Sequence, residues 1–577
     1  MAVGVWCVLG LATAAYGAAA PGAAAPGAAS PGAASPGADV SAGKTLFQQR
    51  CSVCHTAEAG DNGGEQGPSL AGVLGRSAAS APQFSYSQAL QVSKLVWDAR
   101  TLKRFLASPA TVVPGTTMLL AVPEEHERDN LIAYFQSISN RTAPAAAQLE
   151  VPLSSQQTAN WRLDAPGKSH RVSVASLPPP YATASSRNNS SVVGKPGNAT
   201  LALPPGFHIE PFATGFAGPR KMLVAPNGDI LLTEIAGGRV TVLRPSADGR
   251  RAAETQVYLQ GLNQPFGLAF YPNAQSPQWL YVAETNRVTR YAYRTGDVKP
   301  RAEAQVVVAQ LPGGGHSTRD IVFSPDGKRL LVSVGSASNV AESMSKKTPA
   351  QIKSWEAEHG LGAAWDAETN RAAVLEFDAL SLSPSNSTLY ATGIRNCVGL
   401  TVQPANGALW CTTNERDVLG DDLVPDYSTR IERGTFFGWP WYYLGSNEDP
   451  RLKGERPDLG AKVSVPDILY QAHSASLTMT FYEANGGASA FPAAFVGDAF
   501  VAFHGSWNRS LRTGYKLVRV HMKNGEPTGD YEDFLTGFVI DDTHVWGRPV
   551  ATTELKDGSL LMSEDGNNVV YRIFYAR

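Results

Sequence analysis

From residue 201 onward, short apolar runs recur in pairs, each pair split by a turn rich in Pro, Asp, Asn and Gly. The clearest copies are 222–234 (MLVAPNGDILLTE), 320–333 and 551–563. Looser ones are 267–272 with 280–284, 399–404 with 408–412, and 499–503. Apolar runs of this length closed by such turns predict antiparallel hairpins, and further strands follow most copies, as at 239–244 and 569–574. About six such multi-strand units with long, unequal insertions predict a six-bladed β-propeller, since radial repetition leaves only short sheet edges. A sandwich is the alternative, but so many alike hairpins favour blades.

Upstream the period lengthens. Residues 101–107 and 127–139 read as short amphipathic helices, the second with a stripe of Leu131, Ile132, Phe135 and Ile138. Ser41 is placed to cap a helix that runs through Arg50, with Leu46 and Phe47 facing inward. The chain is therefore expected to be multidomain: a small all-α domain at 40–140, then an all-β propeller at 201–577. Residues 141–200 show little periodicity, and Pro178, Pro179 and Pro180 supply no backbone donors, so this stretch is expected to be a linker lying over one or both domains. Residues 19–39 repeat APGAA and SPGAA, an extended spacer. Residues 3–18 form an apolar run ending in small residues, which predicts a signal peptide at 1–18 and a periplasmic, exported product. That run lacks a basic leader and is shorter than the roughly 20 residues of a membrane span. No later segment reaches that length, so no stable span is expected after cleavage.

The net charge of −2 and a charged fraction of 17% give no reason to expect nucleic acid or anionic membrane as a partner. The five cysteines change the picture more. Cys51-Ser52-Val53-Cys54-His55 is a C-x-x-C-H run: two thiols to bond a haem covalently and an adjacent His to take one axial position on iron. Met118 is the candidate for the opposite position. It is the only Met between Met1 and Met222, and it lies in the Pro/Gly loop Val113-Pro114-Gly115-Thr116-Thr117-Met118. The alternatives are a Met that packs on haem without bonding it, or a ligand from His126. Cys7 falls in the signal, leaving Cys397 and Cys411, which two strands of one hairpin would bring together as a disulfide; two buried thiols are the alternative.

The order helix, C-x-x-C-H, Gly67-Pro68-Ser69-Leu70, PGTxM and final helix resembles class I cytochromes c over residues 40–140. Residues 201–577 resemble the soluble quinoprotein sugar dehydrogenases, most closely the L-sorbosone dehydrogenase branch. The runs that carry the resemblance are Gly314-Gly315-His316-Ser317-Thr318-Arg319-Asp320, Gly393-Ile394-Arg395-Asn396, Asn414-Glu415-Arg416-Asp417, Gly438-Trp439-Pro440, His504-Gly505-Ser506-Trp507-Asn508-Arg509 and Trp546-Gly547-Arg548-Pro549. It implies pyrroloquinoline quinone (PQQ) as cofactor, held by Asn396, Arg512 and Arg548, with Arg395 stabilising charge as the quinone is reduced. It also implies His316 as general base, since a neutral imidazole suits proton removal near pH 7, and Gln264 as a substrate contact. Ser336 stands where relatives orient the base with Asp. Ca²⁺ is implied at backbone carbonyls near Arg416 and Asp417; the carboxylates of Glu415, Asp417, Asp421 and Asp422 would also suit a cation, an acidic solvated loop being the alternative.

The function expected is oxidation of a sugar, an aldose or a sorbosone-type aldehyde, by hydride transfer to PQQ. Electrons would pass to the haem c and on to a downstream cytochrome or terminal oxidase. A metal-dependent lactone hydrolase and a non-catalytic docking module are the alternatives on a similar fold.

Overall fold

The computed structural model describes residues 37–51, 55, 57, 67–81, 86–116, 118, 120–139, 160–341, 344–382, 387–484 and 486–576. The expected signal peptide, most of the spacer, Cys54 and the first third of the linker lie outside the described residues.

The amino-terminal domain is helical. Its first helix, Val40–Leu46, continues as a wider turn over Phe47–Cys51. Asp39 caps it, its carboxylate accepting from the Ser41 and Ala42 amides at 2.7 and 3.2 Å, so the cap lies two residues before the Ser41 expected from sequence. The final helix, Glu125–Ser139, packs on the first; Asn130 accepts from the Asp39 amide at 2.8 Å and Arg50 pairs with Glu127 at 2.9 Å. Helix Ala99–Ala107, capped by Asp98, sets Leu102, Phe105 and Leu106 into the same core, where Leu131, Ile132, Phe135 and Ile138 also lie. Among the described residues no helix is long and apolar enough to cross a membrane.

Among the described residues, five four-stranded sheets and one five-stranded sheet follow, arranged as propeller blades. Blade 1 is Pro219–Val224, Ile230–Glu234, Arg239–Pro245 and Ala252–Gln260. Blade 2 runs from Leu268–Tyr271 to Gln305–Val308, blade 3 from Ile321–Phe323 to Thr388–Thr392, and blade 4 from Cys397–Val402 to Ile468–Leu469. Blade 5 runs from Ser476–Phe481 to Glu526–Leu535. Blade 6 takes three strands from the end of the domain, Pro549–Glu554, Leu560–Glu564 and Val569–Tyr575, and its outermost, Phe207–Thr214, from the beginning. That pairing closes the ring. The second strands are buried on both faces: every residue of Ile230–Glu234, Ala499–Phe503 and Leu560–Glu564 is covered, and each opens with at least three consecutive apolar residues, the first and last strands ending in buried Thr233-Glu234 and Ser563-Glu564. Cys397 and Cys411 form a disulfide between the first two strands of blade 4.

In each blade the first strand begins where the second ends: Pro219 faces Glu234, Cys397 faces Thr413, and Pro549 faces Glu564. The loops entering the first strands and leaving the second strands therefore emerge at one end of the propeller axis.

The segment from 160 to 200 binds the propeller. Strand Ser169–Arg171 adds to the outer edge of blade 5. Beneath it lies a buried network in which Lys516 contacts Asp164 at 2.8 Å and Asp533 at 2.7 Å, while His170 contacts Asp533 at 2.9 Å. Farther on, Ser191–Val192 pairs in parallel with His544–Val545.

Candidate functional site

The loops at the shared end bring the expected groups together. His316 precedes the first strand of blade 3 and is half-buried. Its Nδ1 lies 2.9 Å from the Ser336 carbonyl and 3.1 Å from the Ser336 hydroxyl, while that hydroxyl donates to the Ser338 carbonyl at 2.7 Å. The hydroxyl proton being spent elsewhere, Nδ1 is the donor and carries the hydrogen. Nε2 keeps its lone pair. Ser336 thus orients the imidazole.

Two arginines hold the loop from below. Arg319 is fully buried and donates to the carbonyls of His316 at 2.7 Å, Thr318 at 2.8 Å and Pro312 at 2.5 Å. Arg371 donates to the carbonyls of Gly335 at 3.1 Å and Gly314 at 3.0 Å, and also to that of Gly313. Burial, with the charge of Arg371 beside it, lowers Arg319 to about 9. Two cations satisfied by carbonyls leave net positive charge under the loop. Burial and then the charge of Arg395 push His316 down to about 3. The neutral, proton-accepting form persists from neutral pH to well below pH 5, so the rate should not fall through the usual imidazole range near 6.5. A pH–rate profile that loses activity with a midpoint near 6.5 would contradict this assignment.

Arg395 enters from blade 4 and is 3% exposed. It bonds Asp417 at 3.0 Å, the Asn339 side chain at 3.1 Å and the Glu415 carbonyl at 2.7 Å. Burial alone would raise Asp417, but Arg395 and His473, at 3.4 Å, hold it below the usual carboxylate range. Asn396, 7% exposed, meets His316 across Gly335: a Cβ on that glycine would lie 2.4 Å from Asn396 Oδ1 and 2.6 Å from the His316 Cβ. Asn396 Oδ1 is buried with no hydrogen-bond partner among the described residues. Leaving an amide oxygen so costs about 1–3 kcal/mol, a deficit that a polar ligand seated beside His316 would remove. Gln264, exposed at φ +49°, accepts from Thr285 at 3.2 Å, and Thr285 also donates to the Ser317 carbonyl at 3.1 Å. Thr285 thereby ties Gln264 to the residue that follows His316.

Blades 5, 6 and 1 contribute a second cluster at the same end. Asp565 contacts Arg220 at 2.6 Å, His504 at 2.9 Å and Arg548 at 3.1 Å. Burial would raise Asp565, yet these three groups, Arg548 foremost, hold it far below the ordinary range. Arg220 and Asp565 were missed from sequence. Neither lies in a distinctive motif, and only the blade register shows that both loops reach one place.

Two expected placements are corrected. Arg512 is fully buried and faces the linker: it donates to Asn188 Oδ1 at 2.8 Å, the Asp542 carbonyl at 2.6 Å and Tyr515 at 3.0 Å. It clamps the chain between the domains and is no cofactor ligand. Arg416, also fully buried, bonds Glu415 at 3.0 Å, Asp449 at 3.2 Å and the Pro440 and Tyr442 carbonyls at 2.8 and 2.7 Å. The Asp417 carbonyl accepts from Asn339 at 3.1 Å and from cationic Arg451 at 2.9 Å. Those donors oppose a dication on the Asp417 carbonyl oxygen. Among the described residues no three His, Cys, Asp or Glu side chains gather to hold a metal.

In the helical domain, His55 Nδ1 lies 2.9 Å from the Pro68 carbonyl, which leaves Nε2 for iron. Gly67 permits that approach, since a Cβ there would fall 2.4 Å from the ring. Cys51 is buried, and Met118 is half-buried against the core holding Leu106 and Val113, whereas His126 is exposed on the last helix. The residues fit a haem c, whose iron His55 and Met118 would hold.

Comparison with known proteins agrees with this division. The TrAA12-like family model matches residues 201–430 and 459–574, and the cytochrome c model matches 40–139. The chain belongs to the TrAA12-like family, fused to a cytochrome c. A cytochrome c of Euglena viridis is 36% identical over 103 residues, 18% of this chain and 99% of that protein. Cytochrome c2 iso-2 of Magnetospirillum molischianum is 49% identical over 84 residues, 15% of this chain and 80% of that one. An uncharacterized protein of Borreliella burgdorferi is 27% identical over 397 residues, 66% of this chain and 92% of its own length. Among solved structures, the holo form of the pyranose dehydrogenase PQQ domain from Coprinopsis cinerea covers 67% of this chain and 100% of its own at 20% identity and a TM-score of 0.53. The calcium structure of a Trichoderma reesei family AA12 enzyme covers 67% and 98% at 21% identity and a TM-score of 0.52. At these identities the structures establish that the TrAA12-like domain shares their fold.

Proposed function

We propose that the chain is an exported sugar dehydrogenase whose TrAA12-like domain oxidises an aldose or sorbosone-type sugar and whose cytochrome c carries the electrons away. The observation that carries this reading is His316: one ring nitrogen is tied to Ser336, and the electrostatics of its surroundings keep the other unprotonated. The Coprinopsis protein named as a PQQ domain of a pyranose dehydrogenase supplies the choice of cofactor. PQQ, when bound, supplies the carbon that accepts the hydride, and haem c supplies a one-electron outlet.

The chain's own residues do the rest. Nε2 of His316 takes the proton of the sugar hydroxyl as the hydride leaves the same carbon. Arg395, fixed by Asp417 and Asn339, presents a positive charge that does not need to reorganise as negative charge develops. In this reading Asn396 and Arg548 hold the cofactor, and Gln264, which accepts from Thr285, meets the sugar.

The test is direct. The haem-loaded chain is reconstituted with PQQ, candidate sugars are added, and the reduced haem band is followed. Reduction with at least one aldose or ketoaldose is expected, and absence of reduction with every aldose, ketoaldose and polyol would overturn the reading.

A further inference from the structure

One charged side chain between the domains has no part in the chemistry above. Arg187 donates from Nη1 to the His55 backbone carbonyl at 2.8 Å. Its guanidinium lies over the Phe47 ring, 5.3 Å from the centroid, and over the Trp507 ring at 5.6 Å. Phe47 and His55 belong to the cytochrome. Trp507 lies in the loop leaving the second strand of blade 5, at the end of the axis where His316 and Arg548 sit.

The neighbours of Arg187 are fastened to the propeller on both sides. Asn508 Nδ2 donates to the Ser186 carbonyl at 2.7 Å, and the Asn188 amide donates to the Trp507 carbonyl at 2.7 Å. Asn188 Nδ2 reaches the Ser510 carbonyl at 3.1 Å, its Oδ1 receives Arg512 at 2.8 Å, and Tyr515 donates to Ser190 at 3.0 Å. The backbone of Arg187 is thus part of the propeller surface, while its charged end reaches the loop that carries the haem-ligating His. This gives Arg512 its purpose as well: a fully buried guanidinium spends its donors on a strap, and the strap aims Arg187.

We propose that Arg187 is a positioning residue for electron transfer, docking the haem-ligating loop of the cytochrome onto the mouth of the propeller. The inference rests on the sugar dehydrogenase reading. In the step concerned, the reduced quinone gives up two electrons and two protons. One electron converts Fe(III) to Fe(II), the second follows once an external one-electron oxidant has returned the iron to Fe(III), and the protons leave to water. Tunnelling weakens exponentially with the gap, so a contact that fixes the approach of the two domains sets the rate. The cation beside a haem ligand also favours the ferrous state, which carries one less positive charge.

The full haem-loaded chain is compared as wild type, Arg187→Ala and Arg187→Lys. With PQQ bound and sugar in excess, haem reduction in Arg187→Ala is expected to slow about tenfold or more, while sugar-driven reduction of a soluble dye is unchanged. Arg187→Lys, which keeps the charge, should recover part of the rate. Two readouts need no turnover: the haem midpoint potential of Arg187→Ala should fall, and its radius of gyration in solution should rise. Wild-type rate, potential and radius in Arg187→Ala would overturn the proposal. If even the wild type shows no sugar-dependent haem reduction, the sugar reading fails, and potential and radius still decide whether Arg187 docks the domains.

Discussion

His316→Gln is expected to slow sugar-dependent haem reduction by about 10²- to 10⁴-fold, the usual contribution of a positioned general base. Glutamine can still donate to the Ser336 carbonyl, so the loop held by Arg319 and Arg371 should keep its shape. The rate should fall in kcat as well as kcat/KM, because proton removal belongs to the transition state. PQQ binding, followed by its absorbance, should change little. A variant with wild-type kcat would mean that another group takes the proton, and His316 would lose its role.

The second large effect concerns the iron. Met118→Leu keeps the volume and apolar character of a half-buried side chain, so its packing contribution to stability should move by less than about 1.5 kcal/mol. It removes the thioether. The haem midpoint potential should fall, since His/Met ligation raises it. The weak thioether-to-iron charge-transfer band should vanish, and ferrous haem should bind carbon monoxide. Retention of that band would show that another group ligates the iron opposite His55.

How far the sequence carries these conclusions differs from place to place. The blades were legible because their second strands are covered on both faces, so each carries at least three consecutive apolar residues. The disulfide was legible because two cysteines flank one hairpin. Helix Pro349–His359, inside blade 3, was not: it buries no residue, so it has no apolar stripe to betray it, and only its Thr348–Gln351 capping box marks its start. In the site, His316, Arg395 and Asn396 were recognisable from their motifs and do meet. Arg512 misled because a guanidinium beside a Gly turn has the same appearance whether it binds a carboxylate ligand or, as here, the carbonyl of Asp542 and the amide of Asn188. No local pattern encodes that choice, since its partners lie 324 and 30 residues away. The same holds for the Asp565 cluster, which joins three blades through loops that are unremarkable one at a time.

The short strand Ser169–Arg171 has a practical corollary for anyone who wishes to handle the β domain without its haem. A truncation begun at 201, where the hairpins start, would strip the outer rail from Glu526–Leu535 and bare a row of amides able to recruit another copy. It would also take Asp164 and His170 from Lys516 and Asp533, stranding part of a buried charge network. The unit to express begins near 160, forty residues earlier than its sheets suggest.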